Sequence, residues 1–190
     1  MNNNSFDNDL ADRNPPISKP QFANLWSRLG AHIVDTCIFI PIILLSQYNV
    51  FTLKLLPIEL LLSSTWIVYK PFMEYRYGAT FGKMALKIKV VNTEFQAIDS
   101  DQAVKRFLVF LIGYIGVGLI NYWLFTHPEF AEISDYESLS RIQNSLNAEF
   151  IINVANIPLF VSVIAIMFDQ QKQALHDQFA GTYCIHDTSR

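Results

Sequence analysis

Three ionisable side chains lie on one stripe of the first apolar segment: Arg28, His32 and Asp35. Positions i, i+4 and i+7 share one helix face, because seven residues at about 3.6 per turn complete almost two turns. A row of guanidinium, imidazole and carboxylate groups can bind an ion, relay a proton or pair with charges on another helix. These residues therefore indicate a polar site within an otherwise apolar element.

Long apolar segments must position this stripe. The chain is 51% hydrophobic and 16% charged, whereas a typical soluble domain has about 25% charged residues. Ionisable groups inside a membrane helix cost about 2.5–3.5 kcal/mol each, so they are expected to face protein, a water-filled cavity or one another. Segments long and apolar enough to cross a hydrocarbon core of about 30 Å lie near residues 29–47, 55–72, 107–125 and 150–168. The sequence predicts an all-α membrane protein, a bundle of four transmembrane helices within one domain, residues 22–190.

The distribution of charge predicts how this bundle is oriented. Lys and Arg concentrate between the second and third segments, and the connection between the third and fourth segments is acidic. Because an excess of Lys and Arg marks the cytoplasmic side, four spans would place both termini in the cytoplasm. Residues 1–21 are rich in Asn, Asp and Pro and predict a disordered cytoplasmic tail. The net charge of -3 argues against nucleic acid as a partner.

A second group of residues that could do chemistry lies in the basic connection: Gly78, Thr80, Gly82 and Lys83. The spacing is one residue short of a phosphate-binding loop, and Met84 replaces the Ser or Thr that would hold magnesium. We instead predict a short cytoplasmic amphipathic element on the membrane surface. Its apolar side would consist of Phe81, Met84, Ala85 and Ile88.

Two short runs have the alternating pattern of β-strands. Residues 87–91 alternate polar and apolar side chains, and residues 182–185 are the only other strand-like run. We predict that these two runs pair at the cytoplasmic face. Two ordered loops without pairing are the alternative.

Four blocks of the sequence, in this order, resemble the RDD family of bacterial membrane proteins, which is named for an arginine and two aspartates. They are residues 28–35, residues 78–83 with 87–91, residues 103–106, and residues 169–182. The resemblance places the family arginine at Arg28 and the first aspartate at Asp35. The second aspartate best matches Asp177, with Asp169 as the other candidate. The resemblance implies a multi-pass protein of the bacterial cytoplasmic (inner) membrane, and such domains have been suggested to move ligands or ions, including sodium and protons.

The closing block, residues 169–182, leaves two interpretations open. Asp169 could simply end the fourth span, and His176 with Asp177 could begin or cap a short surface helix. Alternatively, the block folds back beneath the bundle and brings Asp177 or His176 toward Arg28. Arginine suits such a contact, because it stays charged and pairs with a carboxylate through two hydrogen bonds.

Two functions are compatible with these residues. The first is transport of an ion or small ligand, such as cation/proton exchange, through the polar site at Arg28 and Asp35. Four spans are few for a complete transporter, so this function predicts a homo-oligomer or a partner membrane protein within the lipid bilayer. The alternative is a non-catalytic scaffold or assembly factor whose basic cytoplasmic loop binds lipid or a partner. No enzyme activity, cofactor or metal site is predicted, and the polar residues could also serve only to hold helices together.

Overall fold

Four long helices account for most of the computed structural model, which describes residues 20–187. They are α1, Leu25–Tyr48, which continues as a π-helical turn at Asn49–Leu53; α2, Leu56–Tyr77; α4, Ser100–Thr126; and α6, Ala148–Phe168. The predicted disordered tail, residues 1–21, lies outside the described residues except for its last two positions.

Three of these helices have the length and composition of membrane spans: Leu25–Leu53, Ser100–Thr126 and Ala148–Phe168. The helix α2 is not among them, because it combines Glu59, Lys70 and Glu74 with a run of Ser and Thr. The prediction of four transmembrane helices is therefore confirmed for three helices and not for α2. Many large apolar side chains point outward on all four helices, as contact with lipid requires, among them Leu44, Leu61, Val68, Ile112, Phe160 and Phe168.

Two helices extend beyond their predicted apolar segments. The helix α4 begins well before residue 107, because Asp99 and Gln102 form a reciprocal capping box that starts it at Ser100. The helix α2 continues past residue 72 and ends at Gly78, whose left-handed backbone, with φ of 70°, closes the last turn. The apolar pattern thus located both helices but not their polar ends.

A small sheet joins distant parts of the chain at one end of the helices. Strand β1, Ile88–Asn92, pairs antiparallel with strand β2, Thr182–His186, with Val90 opposite Cys184. The predicted pairing is confirmed. An isolated bridge between Phe22 and Ile185 adds the segment that precedes α1. The start of α1 and the end of the described chain therefore lie side by side.

The predicted amphipathic element is shorter than expected and packs differently. It forms α3, Phe81–Ala85, while Ile88 already belongs to β1 and is buried. Phe81 is half exposed, and the side of α3 that faces protein is that of Gly82. A Cβ atom at this position would lie 1.9 Å from the carbonyl oxygen of Ala31, so only glycine allows α3 to approach α1 this closely.

At the opposite end, the acidic connection forms a 3₁₀ turn, Pro128–Glu132, and α5, Tyr136–Ser145. Apolar side chains from these elements pack with residues at the ends of the long helices, in a cluster of Val50, Leu124, Phe130, Ile133, Leu139 and Ile142. The ammonium group of Lys54 donates a hydrogen bond of 2.9 Å to the carbonyl oxygen of Ile133. This contact ties the α1–α2 connection to the acidic segment.

Replacing Gly82 with alanine tests the close approach of α3 to α1. We expect Gly82→Ala to destabilise the protein by about 1–3 kcal/mol, because the added methyl group must displace backbone. Gly118→Ala is the matched control, since a Cβ atom there meets nothing within 4 Å. Thermal unfolding in detergent, followed by circular dichroism, compares the two variants. Equal midpoints for both would contradict the proposed packing.

Candidate functional site

Asp35 receives three hydrogen bonds from neutral donors. Its carboxylate accepts from the hydroxyl groups of Tyr69 and Thr80 and from the backbone N–H of Gly82, each at 2.7 Å. Asp35 is only 6% exposed, so these three bonds replace the water that a carboxylate otherwise needs. The carboxylate therefore fastens the start of α3 to the middle of α1 and to α2.

The residues of the predicted loop motif have separate physical tasks. Gly78 supplies the left-handed turn that ends α2, and Thr80 is the N-cap of α3 as well as a donor to Asp35. Gly82 allows the close approach described above. The ammonium group of Lys83 lies 2.6 Å from the carboxylate of Glu74. These residues thus hold α3 against α1 and connect it to the end of α2.

A buried chain of alternating charges, which we call the ion-pair chain, links five elements. Arg28 on α1 pairs with Asp177, which lies on α7, Leu175–Ala180, and Asp177 also pairs with Arg106 on α4. The Nε atom of Arg106 is 2.8 Å from Glu74 on α2, and Glu74 pairs in turn with Lys83 on α3. Arg106 and Asp177 are completely buried. The predicted contact between the closing block and Arg28 is therefore present.

Arg28 and Asp177 also form hydrogen bonds with the backbone. Arg28 donates to the carbonyl oxygens of Lys172, at 2.6 Å, and Ala23, at 3.1 Å. The backbone N–H of Ala174 donates to Asp177 at 3.0 Å. Burial alone would raise the pKa of Asp177, but the guanidinium groups beside it hold its pKa well below the usual range. Asp177 therefore stays ionised despite its burial.

His32 and Asp169 lie outside the ion-pair chain, although His32 lines the cavity described below. His32 is exposed, and its ring centroid lies 6.4 Å from that of Trp66, so it does not connect Arg28 with Asp35. Asp169 follows α6 and accepts hydrogen bonds from the backbone of residues 171 and 173, at 2.8 and 2.9 Å. That geometry fits the interpretation that Asp169 ends the span.

His176 packs against the ion-pair chain without belonging to it. Its Nε2 atom lies 3.5 Å from Asp177, and its ring centroid is 4.9 Å from that of Phe110. Burial and the nearby positive charges, including Arg106, lower the pKa of His176 well below its usual range. The ring is therefore neutral at neutral pH.

Sequence reasoning missed two members of this region, Glu74 and Lys70, as site residues. Glu74 lies beyond the predicted end of the second apolar segment, although it pairs with both Arg106 and Lys83. One signal was available: Lys70 and Glu74 are four residues apart and share a helix face. Arg106 entered only through the family resemblance.

A cavity of about 370 Å³ lies between α1, α2, α4 and α6 and is lined in part by Arg28 and Lys83 of the ion-pair chain. Its volume is within the range of about 300–1,000 Å³ that is typical of small-molecule sites. Most of the lining is apolar. The charged and polar side chains that line it include Arg28, Asp35, Lys70, Lys83, Ser162 and His176. Among the described residues, no group of three or more His, Cys, Asp or Glu side chains could hold a metal ion.

Apolar helices of membrane-spanning length, joined at one end by buried ion pairs, define a helical membrane protein. The profile of the RDD family matches residues 22–181, and the chain belongs to this family. The match includes Arg28, Asp35 and Asp177, whose contacts are described above. No curated protein and no solved structure shows a significant match to the chain.

Removing one carboxylate from the ion-pair chain should destabilise the protein strongly. Asp177→Asn leaves Arg28 and Arg106 without their shared partner, and breaking a buried pair costs about 3–5 kcal/mol. The matched control is Asp101→Asn, because Asp101 forms an exposed pair with Lys105. We expect the control to unfold at the wild-type temperature in the same detergent. Similar losses in both variants would contradict a structural role for the buried pairs.

The neutral imidazole of His176 makes stability depend on pH. Because its folded pKa is lowered, the unfolded chain binds a proton that the folded chain does not, so stability is present above about pH 6.5 and falls below it. We expect a slope of at most about 1.36 kcal/mol per pH unit. His176→Gln should flatten this slope between about pH 7.5 and 5.5, whereas His127→Gln, at the opposite end of the helices, should not. Thermal midpoints measured across that pH range give the slope for each variant. Identical slopes in both variants would contradict the assignment of this pH dependence to His176.

Proposed function

We propose that this protein transports a small solute across the membrane and that the cavity between α1, α2, α4 and α6 holds the solute. The observation that carries this proposal is the cavity itself, with apolar walls and a charged end formed by Arg28, Asp35 and Lys83. Ionisable groups in membrane helices characteristically mark substrate and ion pathways. The family arginine and first aspartate both border this cavity, which gives them a place on the solute's route.

We further propose that α2 is a fourth span. Ser46 on α1 donates a hydrogen bond of 2.8 Å to Glu59 on α2, and Asp35 contacts Tyr69 further along both helices. Contacts at two levels mean that α2 runs antiparallel beside α1, so a membrane that surrounds α1 also surrounds α2. The pairing of Phe22 with Ile185 supports an even number of spans with both ends on one side. The excess of Lys and Arg supports the cytoplasm as that side, and membership of the RDD family supports a bacterial inner membrane as the location.

Asp35 fits a positioning role better than direct cation binding. Its carboxylate already accepts three hydrogen bonds from Tyr69, Thr80 and Gly82. A cation entering there would have to displace donors that attach α3 to α1. The solute path therefore runs along the cavity, and Asp35 keeps one of its walls in place.

The scaffold function receives less support from the contacts of the basic loop. Lys83 and Arg106, two of its cations, point inward and pair with Glu74. These two cations are therefore not available to lipid headgroups or to a protein surface, whereas Arg76, Lys87 and Lys89 of the same loop are exposed. The homo-oligomer or partner membrane protein that the sequence predicts stays a prediction.

Filling the cavity tests the transport proposal. Purified protein in proteoliposomes is screened for flux of sodium, potassium, protons, chloride and short carboxylates. Val163→Trp introduces bulk into the cavity that Val163 lines, and Val161→Trp places the same bulk on the exposed side of α6. We expect at least a tenfold loss of flux for Val163→Trp and none for Val161→Trp, with both variants folded by their thermal midpoints. No flux of any solute, or equal flux through both variants, would overturn the proposal.

A further inference from the structure

We propose that the cavity binds an anionic amphiphile, a molecule with one carboxylate or phosphate head and an apolar tail. The head would lie at Lys70, Ser162 and His176, and the tail along the apolar surfaces of α4 and α6. This inference rests on the proposed function and specifies the class of solute.

Lys70 is the first reason. Its ammonium group lies 3.5 Å from the ring centroid of Phe110 and forms no ion pair among the described residues. A cation over an aromatic face is stabilised by the ring, but only in part when it is removed from water. Lys70 lines the cavity, so an anion bound there would supply the missing opposite charge.

The balance of charge around the cavity favours an anion over a cation. The ion-pair chain and the cavity lining together contain four cationic side chains, Arg28, Lys70, Lys83 and Arg106, and three carboxylates, Asp35, Glu74 and Asp177. The three carboxylates already accept hydrogen bonds or ion pairs from protein groups. The excess positive charge therefore resides on Lys70, the member without a carboxylate partner.

Two unpartnered polar atoms give an independent indication of a ligand. The hydroxyl oxygen of Ser162 and the Nδ1 atom of His176 are buried, and neither has a hydrogen-bond partner among the described residues. Ser162 is only 2% exposed, and both side chains line the cavity. A buried polar group without a partner costs about 1–3 kcal/mol, so an anionic head that accepts from the Ser162 hydroxyl group and from His176 in its Nδ1–H tautomer gains in affinity. The ring of Phe110 contacts both the His176 ring and the Lys70 ammonium group, so one aromatic side chain connects the two residues.

The remainder of the cavity suits an apolar tail. Its walls include Val109, Val117, Leu159 and Val163, from α4 and α6. The volume of about 370 Å³ is typical of sites for small molecules, so a medium-length alkyl tail such as that of decanoate is a suitable probe. Because lipid solvates such a tail equally well, the head provides most of the preference for this site.

Binding is measured with the full chain in nanodiscs of phosphatidylcholine. The chain has three tryptophans, and Trp66 lines the cavity. In a Trp26→Phe, Trp123→Phe background, Trp66 fluorescence is quenched by ligands that carry bromine on the terminal carbon. The probes are ω-bromodecanoate, ω-bromodecyl phosphate, ω-bromodecanol and ω-bromodecyltrimethylammonium, which share a tail and differ in the head.

We expect at least one of the two anionic probes to bind at least tenfold more tightly than the alcohol or the ammonium probe. Tighter binding of the phosphate would identify a phospholipid-like source, and tighter binding of the carboxylate a free fatty acid. Equal quenching by all four heads would overturn the proposal without any variant. The result is also independent of flux, because an anionic probe can bind even if no solute crosses the membrane.

Variants at Lys70 test the assigned contact. Lys70→Met should lower the affinity of the preferred anionic probe at least tenfold and leave that of bromodecanol unchanged, whereas Lys70→Arg should stay within a few-fold of wild type. Lys105→Met, on the exposed side of α4, is the control. Unchanged anion binding in Lys70→Met would overturn the proposal. If Lys70→Met does not fold, Ser162→Ala takes its place, with a smaller loss expected for the anionic probes alone.

Discussion

The structure depends on the ion-pair chain that runs from Arg28 through Asp177, Arg106 and Glu74 to Lys83. Each of these charges would be strongly unfavourable alone in a medium of low polarity, and together they satisfy one another. An apolar core of equal volume could be as stable, but it would not specify which helix ends must meet. The alternating charges specify which helix ends meet, because each charged residue is stable only beside a residue of opposite charge.

The stripe of Arg28, His32 and Asp35 has a double role in this arrangement. Arg28 and Asp35 are attached to different partners, the first to Asp177 and the second to neutral donors around α3. All three residues also line the cavity. The same side of α1 therefore both contacts other elements of the fold and lines the candidate binding site. A substitution there is expected to affect the stability of the fold and the shape of the site together.

Sequence patterns predicted much of this fold because they reflect local physics. Apolar segments of sufficient length identified α1, α4 and α6, and alternation identified the strands that pair between Ile88 and His186. The chemistry of arginine predicted a carboxylate partner for Arg28. Glu74 was missed because it stands outside the apolar part of α2, and the role of Gly82 depends on a backbone of another helix that no local pattern describes. The cavity likewise arises from the packing of four helices, so no periodic pattern in the sequence indicates it.

The closing block, residues 169–182, also determines how late during synthesis the fold can be completed. Asp177 follows Arg28 by 149 residues and Arg106 by 71 residues. Both arginines are therefore translated, and α1 and α4 are inserted, before their shared counter-charge exists. Such long sequence separation delays the last folding step and exposes the unfinished chain to misassembly. A ribosome stalled before this block would leave Arg28 without its carboxylate partner and Arg106 paired with Glu74 alone, so the helices would be inserted before the contacts that join their ends are complete.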